Sequence, residues 1–151
     1  MKRTFATIAL TAALLFTVGV GSSFARTTPT GNGNIDAYFH RDFRQAELLE
    51  TKTNSDYTRF TFKMNTLILT AFYSNSGELL AVTRNIPSTQ LPIQLLIQVK
   101  RFYSDYWISD LFEYNANGSA SYFITLENAD KKITLRSNDG DWETYNKTTK
   151  L

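Results

Sequence analysis

YTRFTFKMNTLILTAFYS, residues 57–74, decides the fold. Phe60, Phe62 and Met64 alternate with Arg59, Thr61 and Lys63, the period of two that marks a strand with one buried and one wet face. Asn65 and Thr66 break the run, and a second one follows over Leu67–Ser74, so the pair predicts an antiparallel hairpin. The second run differs in kind, because Leu67 to Tyr73 is apolar or aromatic on both faces. Either that strand is covered on both sides, or it contributes to an aromatic patch on an open face.

The same grammar extends outward. Glu47–Thr53 and Glu78–Asn85 flank the hairpin across Asn54-Ser55-Asp56 and Asn75-Ser76-Gly77. A second train follows at Trp107–Tyr114, Ser121–Glu127, Lys132–Ser137 and Asp141–Tyr145, with turn residues at 115–118, 128–130 and 138–140. A helix is predicted ahead of each train. Asn34 can cap the first, whose apolar positions are Ile35, Tyr38, Phe39, Phe43 and Ala46; Pro92 suits the first turn of the second, with a stripe of Leu95, Leu96, Val99, Phe102 and Tyr103.

At an offset of 63 residues, Phe39 falls on Phe102, Asp42 on Asp105, Glu50 on Glu113, Asn54 on Asn117, Asn75 on Asn138 and Gly77 on Gly140. The expectation is therefore an α+β fold of two tandem repeats, about 34–86 and 87–147. Each would be a helix followed by antiparallel strands, together forming one sheet with the helices packed on one face.

The N-terminus reads differently. Lys2 and Arg3 precede an apolar run from Ile8 to Val20, and Ser23-Phe24-Ala25 ends it with a small-x-small pattern, so residues 1–25 read as a signal peptide cleaved after Ala25. The run is short for a bilayer span, which argues against an anchor. Residues 26–33 read as a flexible N-terminus and 34–151 as a single domain of periplasmic or secreted location, with no stable membrane insertion after cleavage. Of the 16 basic side chains two lie in the leader, so the remainder balances the 14 acidic ones and offers no excess for nucleic-acid phosphates. Cysteine is absent, so stability in an oxidising compartment must come from packing, with a core rich in aromatics.

Catalytic groups are sparse. His40 is the sole histidine, no Gly-x-Ser-x-Gly turn accompanies it, and metal sites of the His and Cys type lack ligands. Asp42, Glu47, Asp105, Asp110 and Glu113 have no spacing that defines an acid–base pair. Asn138-Asp139-Gly140-Asp141 reads as a hairpin turn, since it lacks the ligand alternation of a calcium loop. No cofactor is expected, and the chain reads as a non-enzyme.

The segment Leu69 to Ile86, then Leu91-Pro92, Tyr103 to Ile108, Phe112 to Gly118, Tyr122 to Asn128 and Lys131 to Leu135, resembles the PepSY-like, β-lactamase-inhibitor-like family of exported bacterial proteins. The resemblance spans about Ile35 to Lys147. It implies tandem helix-plus-sheet repeats, an envelope or secreted location and a protein-binding or inhibitory role, against a peptidase or a β-lactamase for instance. Expected anchors for a protein or peptide partner are Tyr73, Tyr106, Trp107 and Tyr114, aromatics near strand ends or on the two runs, Leu67 to Tyr73 and Ile108 to Tyr114, that are apolar or aromatic on both faces. The competing expectation is a small-ligand or carbohydrate-binding module of the envelope.

Overall fold

The computed structural model describes residues 35–150. The predicted leader, the residues up to 33 and the Asn34 cap lie outside that range. The chain runs α1 (Ile35–Asp42), β1 (Glu47–Thr53), β2 (Tyr57–Met64), β3 (Leu67–Ser74), β4 (Leu79–Asn85), a 3₁₀ turn (Ser88–Gln90), α2 (Ile93–Phe102), β5 (Trp107–Ala116), β6 (Ser119–Glu127), β7 (Lys131–Asn138) and β8 (Asp141–Thr149). The eight strands form one antiparallel sheet in sequential order.

Turn chemistry explains the meander. Asn117-Gly118 and Asp139-Gly140 both hold positive φ at two successive residues, the backbone that matches strand twist in a two-residue hairpin and that Asn-Gly and Asp-Gly tolerate best. Asn54 and Asn128 act through their side chains: each Oδ1 accepts from the backbone N–H groups two and three residues on, at 2.8–3.0 Å. Helix α2 opens with Leu96 N–H donating to Pro92 O, and closes with Tyr103 N–H donating to Val99 O. Its polar side grips the last hairpin. Gln98 donates to Gly140 O and Asp141 Oδ1, and Trp142 Nε1 donates to Leu95 O at 2.9 Å.

Both helices lie on one face. Under α1, Phe39 stacks on Phe60 at 4.5 Å between centroids and meets Phe62 edge-on at 5.1 Å, with Leu69, Ala71 and Tyr73 completing the cluster. Under α2, Val99 packs with Leu111, Ile124, Leu126 and Leu135. Losing a fully buried ring such as Phe39 would cost about 3–5 kcal/mol.

The tandem-repeat expectation is corrected. What exists is a single eight-stranded antiparallel sheet with two short helices, continuous through the β4–β5 ladder (Val82↔Asn115 to Asn85↔Phe112), where Arg84 also binds Glu113 at 2.6 Å. Two of the pairs matched at offset 63 do not share surroundings. Phe39 is fully buried while Phe102 is 64% exposed, and Asp42 accepts from Tyr73 while Asp105 accepts from its neighbour Ser104. Burial follows strand alternation and helix facing, which a fixed sequence offset does not preserve. The α+β class stands at this coarser level.

Candidate binding surface on the open sheet face

Antiparallel register sorts the side chains by face, because directly paired residues point the same way. Across β2 to β6, Thr61, Thr70, Thr83, Tyr114 and Ser121 pair in sequence, forming one row of hydroxyls on the side away from the helices. One row toward the start of β5 lie Asn85, Phe112 and Phe123; one row the other way lie Phe72, Ala81 and Ala116. These central positions carry no charge. Charged residues of both signs surround them: Glu50, Lys52 and Arg59 on β1 and β2, and Arg136 and Glu143 on β7 and β8.

The aromatic groups in this centre are mutually organised. Phe112 and Phe123 stack at 5.1 Å with planes 6° apart, Tyr114 and Tyr145 meet Phe123 edge-on at 5.8 and 5.4 Å, and Arg136 lies over the Phe123 ring at 5.7 Å. Such packing holds the rings at low residual entropy while leaving them half-exposed.

The four expected anchors are not brought together. Tyr114 lies in the central row. Trp107 is 54% exposed at the tip of β5, with Lys150 Nζ 4.9 Å from its ring centre. Tyr106 precedes β5, packs partly against the helix-side core and meets Tyr103 edge-on. Tyr73 is fully buried under α1, so it belongs to the core and presents nothing to a partner. Leu69 and Ala71 share its face and are buried with it, which settles the two-faced reading of β3: one face meets the helix, and Phe72 and Thr70 line the other. Phe112 and Phe123 were missed, although counting outward from the two-residue turn at Asn117-Gly118 pairs them directly.

Acid–base chemistry finds no constellation among the described residues. Asp110 and Glu113 project from opposite faces of β5, and Glu113 is held by Arg84. Asp42 is held by Arg41 and Tyr73, while His40 stands exposed beside Phe39. A shallow cavity of about 310 Å³ opens beside Asn85, Ile86, Ser88, Ile108, Ser109 and Asp110. Burial pushes the Asp110 carboxyl up from its usual value, against a backbone hydrogen bond from Leu111 and the charge of Lys132. It has no second catalytic group beside it. Glu127, at the lower end of β6, is held down at about 2 by Lys150, then by Ser109 and Lys132. No three His, Asp or Glu among the described residues gather to hold a metal.

The fold has solved counterparts. A DUF2874 family protein from Bacteroides ovatus is similar with a TM-score of 0.68 at 15% identity, over 81% of this chain and 89% of that one. A BLIP-like protein from Bacteroides fragilis gives 0.66 at 12%, over 82% and 89%. A protein from Bacteroides eggerthii, described provisionally as periplasmic, gives 0.68 at 10%, over 80% and 90%. These likenesses support a BLIP-like fold; none of the three carries the PepSY name. No protein-family model matches the chain, and no curated protein matches it. No helix among the described residues is long and apolar enough to cross a membrane.

Proposed function

We propose that this is a non-enzymatic protein-binding domain of the cell envelope or exterior, whose partner docks on the open face of the sheet. One observation carries the reading: an uncharged centre of aromatics and hydroxyls is ringed by charges of both signs. Protein interfaces share this anatomy, with aromatic anchors at a core depleted of charge and a polar rim around it. The anchors are Phe112, Tyr114 and Phe123, with Tyr145 beside them, and Trp107 at the margin. Tyr106 lies on the helix side and is left out. The likeness to a BLIP-like protein and to one described provisionally as periplasmic favours an inhibitor-like role outside the cytoplasm. The leader-like first 25 residues point the same way.

Affinity capture from an envelope extract tests the reading, with the wild-type protein and a Tyr114→Ala/Phe123→Ala double variant as baits. The expected result is a polypeptide retained by the wild type and lost by the variant. Retention of the same polypeptides by both, or of none, would refute it. A glycan array provides the contrast: binding to sugars and to no polypeptide would assign the aromatic and hydroxyl face to carbohydrate stacking instead.

A further inference from the structure

We propose a second surface, which meets the first only at Trp107: the end of the sheet where β1, β3, β5 and β7 begin is a docking rim for an anionic lipid surface. The topology assembles it. Strands alternate in direction, so the starts of β1, β3, β5 and β7 share one end with the tails of β2, β6 and β8. Each helix is joined to that end by a four-residue link, 43–46 from α1 to β1 and 103–106 from α2 to β5.

Two kinds of exposed side chain collect there. Seven are large and apolar: Leu48 (41% exposed), Leu49 (50%), Leu67 (45%), Ile68 (60%), Phe102 (64%), Trp107 (54%) and Ile108 (39%). Six are cations without a carboxylate partner among the described residues: Arg44, Lys63, Lys100, Arg101, Lys131 and Lys147. Among the described residues, four carboxylates at this end stand outside ion pairs: Glu47, Asp105, Asp110 and Asp130. At the opposite end, the four hairpin turns carry Asp56, Glu78 and Asp139 and neither Lys nor Arg. The chain is close to neutral as a whole, yet its charge is polarised along the strands.

Helix dipoles account for Lys100 and Arg101, which fall in the last turn of α2. They do not account for Lys63, Lys131 and Lys147 on strands, nor for apolar side chains left in water beside them. The mixture matches a bilayer interface: cations are drawn to anionic headgroups while Trp, Phe and Leu enter the headgroup boundary. Shape points the same way. The apolar groups are divided among the starts of β1, β3 and β5 and the last turn of α2, and a fluid surface can accept such separate groups one by one, whereas a protein partner needs one contiguous complementary patch.

Sedimentation with vesicles tests this, using phosphatidylcholine alone or mixed with phosphatidylglycerol. The protein should sediment with the mixed vesicles and not with phosphatidylcholine, and salt should release it. Neutralising four cations (Lys100→Gln, Arg101→Gln, Lys131→Gln, Lys147→Gln) should weaken partitioning by more than about tenfold. Trp107 supplies a local readout: tryptophan emission should shift to the blue on binding, and Trp107→Phe should remove the shift. Failure to sediment, equal binding to phosphatidylcholine, or indifference to the four substitutions would overturn the proposal. Retention on polyglutamate without vesicle binding would overturn it too, and would assign the rim to an acidic polypeptide.

Discussion

The Tyr73 hydroxyl donates a 2.9 Å hydrogen bond to Asp42 Oδ2, joining the end of β3 to the last residue of α1. The ring is fully buried between Phe60 and the helix. Burial first, and then this bond, hold the hydroxyl well above the usual tyrosine range, so it remains a donor at every working pH. Arg41 and Tyr73 together hold the Asp42 carboxyl below its usual value against the opposing effect of burial.

Tyr73→Phe keeps the ring and removes the donor. A hydrogen bond to a charged group contributes more than a neutral one, but Asp42 retains Arg41, so the expected loss is about 1–2 kcal/mol by urea titration. An unchanged midpoint would mean that the bond does not tie α1 to the sheet.

Glu127 gives the fold an acid dependence. Its folded-state pKa of about 2 lies below the usual 4.5, so the stabilisation is complete above about pH 4.5 and is lost as pH falls toward about 2. Glu127→Gln removes the group that titrates. The stability gap between wild type and variant should be widest near neutrality and close in acid, as read from melting curves across that range.

Gly77 and Gly140 offer a matched pair. Both need a left-handed backbone, with φ of +84° and +89°, but a Cβ at Gly77 would enter the Tyr38 ring while one at Gly140 meets open space. Gly140→Ala should cost about 1 kcal/mol from backbone strain alone, and Gly77→Ala clearly more. Equal losses would mean that the Tyr38 ring moves aside freely.

Much of this architecture is legible in the residues because strand alternation and turn chemistry are local. Glu47–Thr53, Tyr57–Met64 and Leu67–Ser74 are strands at the expected boundaries. Later strands run longer than expected, to Ala116 and back from Ser119, because a two-residue turn leaves its flanking residues in the ladder. The last strand reaches Thr149, beyond which Lys150 N–H donates to Asp130 O. Faces were harder. Leu67 to Tyr73 is apolar at nearly every position, so alternation alone does not say which set meets a helix, and it is the packing of Phe60 and α1 that places Tyr73 in the core. The repeat offset misled for a related reason: it aligns residue types, and Phe39 and Phe102 share a type but not an environment.

Site-specific photocrosslinking tests the central claim most directly. A photoreactive residue replaces Thr83 in the middle of the open face, and a control replaces Ile97, exposed on α2. Irradiation in cells should join the Thr83 position to another polypeptide and leave the Ile97 position free. Adducts from Ile97 alone, or none from Thr83 where the protein is abundant, would contradict the account.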